Sequence, residues 1–382
     1  MRHERQVELL KRLKEHQAQR PAPLAPASRI NQATAYADPA RYAAEKQKLF
    51  RERPCFIGFS SDLAKSGDYL TADLGGVPIV VLRQKDGQLS GFVNACRHRA
   101  APLVSGRGEK LRHFKCPYHA WTYSTEGKLI GRPNTGNAFD DVPMENCALH
   151  GITVAEHHGL VFARLQGEGP IDTATAMQGS ESELADYGLE DYVHFETRVN
   201  EWDCNWKLIL DTFTEAYHIP FLHPETIAPY FAHSYMLCDL FGANPRTIGL
   251  KKTVFDEFEK PDEKDWALLP HATVQYFLTP NALVVHQLDH MEVWRVEPLD
   301  VGRTRVFTSL YTPPASQGEK SDNYWRKNLD LLVTVTGTED FPTMETIHRN
   351  LASGMVPDVV YGQLEPGLIN LHAAIDRLLA EA

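Results

Sequence analysis

The sequence has no excess of positive charge: 39 Lys and Arg stand against 50 Asp and Glu, for a net charge of −11. That balance excludes the basic footprint of a nucleic-acid binder and gives no attraction to an anionic membrane surface. The first twenty residues, MRHERQVELLKRLKEHQAQR, contain no apolar core, so no signal peptide or membrane span is expected there, and the cytoplasm is the expected compartment. Neither G-x-G-x-x-G nor a Walker loop occurs, so no nucleotide site is encoded in those forms, and there is no internal repeat or low-complexity tract. Cysteine is sparse. Cys55, Cys147, Cys204 and Cys238 are scattered without a paired spacing, which argues against a disulfide scaffold.

What the chain does contain is two short loops that each combine one cysteine with one histidine, Cys96-Arg97-His98 and Cys116-Pro117-Tyr118-His119. A structural zinc site accepts four such ligands, but zinc knuckles usually pair Cys with Cys and His with His. Mixed C-x-H and C-x2-H loops, seventeen residues apart, suit two metal ions of different preference. That is the demand of a Rieske [2Fe–2S] centre, in which one iron keeps two thiolates and the other takes two imidazoles.

At 382 residues with 43% hydrophobic and 23% charged residues, the chain has the length for two soluble domains and an ordinary composition. Residues 1–20 can form an amphipathic helix with Val7, Leu10 and Leu13 on one side, in contact with the body or a neighbouring subunit. The proline-rich run Pro21–Pro26 should act as a stiff linker. Asp38-Pro39 opens a further helix, with Asp38 as N-cap, reaching about Arg51. From Pro54 to about Leu165 the pattern is β-rich, with runs at 77–82 and 92–93 and a hairpin turn at Glu126-Gly127. Gln166–Pro170 marks a boundary. Beyond it, strands such as 274–277 and 283–286 lie among helices, which reads as α+β. The expected domains are 1–52, 53–165 and 166–382.

A second constellation lies at Asp211-Thr212-Phe213-Thr214-Glu215-Ala216-Tyr217-His218, with His223 five residues on. On a regular helix Glu215 and His218 share a face, while His223 does not. Pro220 is expected to end or bend the helix between the two histidines, so that both can reach one ion. With a carboxylate from elsewhere they form the facial triad of non-haem Fe(II) oxygenases. Two histidines at this spacing are more often core or surface residues, but a one-electron donor in the same chain makes the metal reading coherent.

With both motifs in hand, the sequence resembles the Rieske non-haem iron oxygenases, the catalytic α subunits of the ring-hydroxylating family. The resemblance runs from Tyr36-x-Asp38-Pro39 through the cysteine loops and Asn205-Trp206-Lys207 to Glu365-x2-Leu368-x2-Leu371-His372. It implies an all-β Rieske domain followed by a helix-grip-like catalytic domain with an antiparallel sheet and flanking helices. Cys96, His98, Cys116 and His119 would hold the cluster. Asp340 would join His218 and His223 at a mononuclear Fe(II), with Glu339 the weaker choice and a helix N-cap the alternative role for Asp340. Glu215 would bridge His218 to His119 of a neighbouring subunit in a homotrimer.

Some positions depart from the family pattern. Ala100 and Ala120 stand where glycine is usual, so these backbones are expected to keep negative φ. Pro54, Thr212 and His348 replace frequent Trp, Asn and Gln, the last two with an expected effect on pocket polarity. The implied activity is O2-dependent hydroxylation of an aromatic or largely apolar small molecule, with electrons from an external NAD(P)H-dependent reductase or ferredoxin. The alternative is monooxygenation or demethylation of an N-methyl, O-methyl or quaternary ammonium substrate, suggested by Glu at 215. A bare Rieske electron carrier would leave the 215–223 set unexplained. Substrate is expected near Phe213, Ile219, Phe221 and the strand with His286 and His290, for which strand-face packing is the plainer role.

Overall fold

The computed structural model describes residues 1–18, 25–314, 316 and 318–381, so residues 21–24 of the expected linker lie outside the described residues. The chain divides into two compact units, one formed by Lys46–Ala176 with Leu189–Asp191, the other by Met1–Glu45, Met177–Gly188 and Tyr192–Ala382. Both mix antiparallel sheet with helix or turn, and the fold class is α+β.

In the first unit, alternating strands build a seven-stranded antiparallel sheet in the order Cys55–Phe59, Leu160–Arg164, Gly151–His157, Leu89–Val93, Pro78–Arg83, Tyr69–Asp73, Arg107–Gly108. A separate meander of His113–Lys115, Thr122–Ser124 and Leu129–Gly131 holds the second cysteine loop in its first connection, while the first loop follows Leu89–Val93. Val80, Leu82, Phe92, Phe114, Trp121, Tyr123 and Leu129 bury one core behind both loops. Gly127 closes the last hairpin with φ +80°, where any Cβ would also strike Phe92.

The backbone expected at Ala100 and Ala120 is not the one found. Both residues are left-handed, with φ of 57° and 56°. The reason is a turn repeated in the two loops. The amide of Ala100 donates to the Cys96 carbonyl (2.8 Å) and Cys96 N–H to the Ala101 carbonyl (2.9 Å); Ala120 donates to Cys116 (3.0 Å) and Cys116 to Trp121 (2.8 Å). Closing that turn requires positive φ, and alanine accepts it at a cost of roughly 1–2 kcal/mol per residue.

The second unit is built on a seven-stranded antiparallel sheet in the order Val193–Trp202, Arg303–Thr312, His290–Asp300, Ala282–Gln287, Ala272–Leu278, Asn244–Lys251, Phe231–Phe241. The C-terminal helices Glu319–Val335 and Phe341–Ala352 are joined by a π-helical turn, Thr336–Asp340. Trp325 and Leu329 of the first of these pack on Leu310 of the sheet. The amino-terminal helix His3–Ala18 buries Leu9, Leu10 and Leu13, and Arg12 pairs with Asp239 through two hydrogen bonds of 2.9 and 2.7 Å. The next long helix is Pro39–Lys48, three residues shorter than expected; Asp38 Oδ1 accepts the Ala40 N–H at 2.8 Å. Among the described residues no helix is long and apolar enough to cross a membrane.

Candidate active site

Cys96 and Cys116 are both 3% exposed, while His98 and His119 approach with ring centroids 4.6 Å apart. Trp121 stacks on His98 at 5.0 Å, and the Tyr123 hydroxyl lies 3.2 Å from Cys96 Sγ while accepting the Arg97 N–H at 3.0 Å. His98 Nδ1 is buried without a hydrogen-bond partner among the described residues. A buried nitrogen left unmatched beside two buried thiols is costly unless it binds something. Burial pushes the Cys96 thiol up, so a metal that takes it as thiolate must displace a proton. This donor set fits a [2Fe–2S] cluster.

In the other unit, Asn205 caps the helix Trp206–Asp211, accepting the Lys207 N–H at 3.1 Å, and every residue of that helix is buried. The helix stops at Asp211, so residues 212–218 are already outside it. Pro220 therefore does not end a long helix, as its spacing suggested. It sits in the first turn of a new one, Ile219–Leu222, where its missing N–H has no partner to lose. His218 and His223 flank this single turn as its two caps. A short helix between two loops thus does the work assigned to a kink.

The ligating atoms of His218, His223 and Asp340 lie within 4.8 Å of one another. Asp340 Oδ1 is 3.1 Å from His223 Nε2 and 3.6 Å from His218 Nε2, and it accepts the Thr212 hydroxyl at 3.1 Å. Asp340 stands at the N-cap position of Phe341–Ala352 but does not cap it: it has helical φ and ψ, makes no capping hydrogen bond and ends the π-helical turn, a local widening that often marks functional positions. The opposite ring nitrogens are both engaged. His218 Nδ1 is hydrogen-bonded to Glu215 and His223 Nδ1 to Glu339, so each Nε2 is left facing Asp340. Carboxylates on the far nitrogen fix tautomer and ring orientation and make the imidazole a better donor. The residues fit a facial-triad iron.

Glu339, the weaker ligand choice in the sequence, has a contact that sequence reasoning did not foresee: its carboxylate is the partner of His223 Nδ1 and of the Thr226 hydroxyl (2.9 Å). Its adjacency to Asp340 was the only signal available. Glu339→Gln is expected to lower iron affinity about 10- to 100-fold with the fold intact; chelator competition against circular dichroism measures both.

A model of the ring hydroxylating alpha subunit catalytic domain matches residues 189–381, and one of the Rieske [2Fe-2S] domain matches residues 54–149. The chain belongs to the ring-hydroxylating alpha subunits. It is a Rieske non-haem iron oxygenase, with a [2Fe–2S] cluster and a mononuclear iron as cofactors and with O2, an organic substrate and an electron-transfer protein as partners. The glycine betaine monooxygenase oxygenase subunit of Chromohalobacter salexigens is 32% identical over 195 residues, half of this chain and 42% of that protein. The carnitine monooxygenase oxygenase subunit of Acinetobacter pittii is 28% identical over 323 residues, 81% of each chain. A solved quaternary ammonium Rieske monooxygenase with L-carnitine matches with a TM-score of 0.76 at 21% identity, over 93% of this chain and 96% of that one.

Two cavities share Thr212, Glu215 and His218 in this oxygenase's catalytic unit. The first, of 190 Å³, is bordered by all three candidate ligands, by Phe213, Ile219 and Trp294, and by the helix Glu319–Val335. The second, of 480 Å³, is bordered by His218 alone of the three and by Tyr36, Asp211, Tyr361 and Glu365. Of the residues expected around substrate, Phe213 and Ile219 border the first cavity, but Phe221 is 73% exposed and borders the second. Strand alternation removes His286: Val285 and Gln287 border the cavity, whereas His286 stacks on Tyr187 with centroids 5.0 Å apart, and burial holds its pKa down to about 4. His290 is a neighbour of the wall, with Nε2 3.3 Å from Glu292. His348 borders neither cavity; it is packed against Gly302, where a Cβ would collide with it, so it does not set pocket polarity.

Proposed function

We propose that Cys96, His98, Cys116 and His119 hold the cluster, that His218, His223 and Asp340 hold the iron, and that the chain monooxygenates an N-methylated or quaternary ammonium compound. When bound, the cluster supplies electrons one at a time and the iron the site of O2 reduction. The protein's own groups do the rest. Glu215 and Glu339 keep the two imidazoles in register, Thr212 holds Asp340, and the apolar wall excludes water from the carbon to be oxidised. One oxygen atom enters a C–H bond beside nitrogen and the other leaves as water, consuming two electrons and two protons. The resulting carbinolamine breaks down to an amine and an aldehyde.

The observation that carries the substrate reading is Glu292, a buried carboxylate in the cavity wall beside Trp294 and Phe213 and outside the proposed ligand set. An anion with aromatic faces is the usual receptor for an organic cation. The glycine betaine and carnitine relatives point the same way. Ring dihydroxylation of an aromatic substrate is the second reading, favoured by Ile219, Ile227, Leu331, Leu332 and Val335 around the same cavity. A volume of 190 Å³ suits a small substrate of either kind, below the roughly 300–1,000 Å³ of drug-sized pockets.

A homotrimer in which Glu215 meets His119 of a neighbour belongs to the same proposal. Its support is an exposed apolar surface beside the second cavity: Phe221 (73%) with Tyr217 at 5.8 Å, and Val360 (69%) paired with Ile30 (64%). The division 1–52, 53–165 and 166–382 and a cytoplasmic location, which suits six unbridged cysteines, complete it.

The test is a single turnover of chemically reduced protein with O2 and a panel of N-methylated compounds and aromatic acids, products read by mass. Formaldehyde or another aldehyde with the matching amine is expected. Addition of two oxygen atoms to an aromatic, with no aldehyde from any amine, would establish the second reading instead.

A further inference from the structure

We infer that the substrate cavity selects a net-cationic compound whose far end carries a neutral oxygen, not a carboxylate, and that Glu292 sets this preference. The inference rests on the quaternary ammonium reading and narrows it. Three carboxylates border the cavity, Glu215, Asp340 and Glu292, and among the described residues no Lys or Arg does. Asp340 lies among the three ligating atoms and Glu215 is held by His218 and by the His218 backbone N–H (3.1 Å). Glu292, 7% exposed, is the carboxylate left over for a ligand.

The groups around Glu292 do not convert it into an anion site. His290 lies 3.3 Å away and shares its other nitrogen with Asp289 at 3.0 Å, so a single imidazolium would be divided between two carboxylates. Lys251 also feels the charge of Glu292 and Asp289, but it does not border the cavity. His286 is neutral and stacked on Tyr187. A carboxylate-bearing zwitterion entering here would place its anion among carboxylates whose nearby cationic groups, His290 and Lys251, do not border the cavity, which like-charge repulsion opposes.

The donors of the wall specify the other end. Trp294 is 1% exposed, and its indole N–H is buried with no partner among the described residues. Its ring lies 5.0 Å from that of Phe213, so Trp294 can offer the cavity an aromatic face for a cation. The side-chain carbonyls of Gln275 and Gln287 accept the hydroxyls of Thr247 (2.7 Å) and Thr273 (2.6 Å). That turns their donor ends to other use. Register brings these groups together: Gln275 pairs with Val285 and Val285 with Glu292, and Thr273 pairs with Gln287 in the next row. Neutral donors without a fixed cation recognise a hydroxyl, ether or carbonyl oxygen.

The experiment uses the iron-loaded, cluster-loaded enzyme with an electron donor and three probes of similar size. These are choline, glycine betaine and 3,3-dimethylbutan-1-ol, a neutral isostere of choline; kcat and KM are measured from O2 uptake coupled to product. Choline is expected to exceed glycine betaine about 100-fold or more in kcat/KM, and the neutral isostere to bind weakly. Glu292→Gln should raise KM for choline at least about 10-fold with kcat little changed and shrink the gap to glycine betaine, while Glu292→Asp restores the preference. Preference for glycine betaine with aldehyde formed, or an unchanged ratio in Glu292→Gln protein of normal iron content, overturns this inference but leaves the N-methyl reading standing. Aromatic diol formation with no amine product overturns both.

Discussion

Glu215→Gln is expected to retain its [2Fe–2S] spectrum and its full iron content while product formation falls about 100-fold, the upper end of what loss of a histidine-orienting carboxylate costs. The amide can still accept a hydrogen bond from His218 Nδ1, so the ring need not swing away. What is lost is the negative charge, which strengthens the nitrogen on the other side of the ring and, in the proposed trimer, gives a neighbour's His119 its bonded partner. Glu215 Oε2 also accepts the backbone N–H groups of Tyr217 and His218, while Oε1 serves His218 Nδ1; glutamine, with its single acceptor oxygen on the ring nitrogen, gives up those backbone contacts. Cluster reoxidation measured by stopped flow should therefore uncouple from product measured by mass. Normal coupled turnover in this variant would remove Glu215 from the electron path, whereas loss of iron would make it a purely structural support of His218.

The two metal motifs were legible in the sequence because a metal dictates both residue type and loop length over a few positions. Cys96, His98, Cys116 and His119 could be proposed without tertiary information, and the facing of His218 and His223 followed once a local break was assumed. The break itself was placed on the wrong residue. Pro220 starts a helix in this fold, and the segment that turns the histidines is this single turn, Ile219–Leu222, which begins after the helix Trp206–Asp211 has already stopped. Likewise the left-handed Ala100 and Ala120 could not be read from residue type, since alanine argues against positive φ and only the doubled hydrogen-bond pattern of the loops overrides it. Glu339 meets His223 across 116 residues of sequence, and Glu292 and Trp294 border the cavity beside residues from other strands and helices, at a range where periodicity carries no signal. Strand alternation did carry one: it set His286 on the face opposite Val285 and Gln287.

Breaking the pair between Lys207 and Glu45 should be the most destabilising single change. Lys207 is fully buried, and its Nζ donates to both Glu45 oxygens at 2.7 Å; Trp206 Nε1 donates to the same carboxylate at 2.9 Å and Arg41 at 3.0 Å. Burial lowers the Lys207 pKa, while the Glu45 charge opposes that fall. Removing the carboxylate leaves a buried ammonium without its counter-charge, which costs about 3–5 kcal/mol. Glu45→Ala is expected to lower the melting temperature by roughly 10 °C on the scale of a few degrees per kcal/mol for larger domains. The double variant Glu45→Gln, Lys207→Met should recover most of that loss, because neutral replacements of both charges spare their desolvation and the glutamine oxygen can still accept from Trp206 Nε1. A double variant no more stable than Glu45→Ala would mean that packing around Trp206, and not charge, holds this junction. The consequence reaches the active site through covalent connection: Trp206 and Lys207 begin the six-residue helix that ends at Asp211, directly before Thr212 and Phe213. A pinned helix start therefore fixes where the wall of the substrate cavity begins, and iron affinity should fall together with stability in Glu45→Ala and return with it in the double variant.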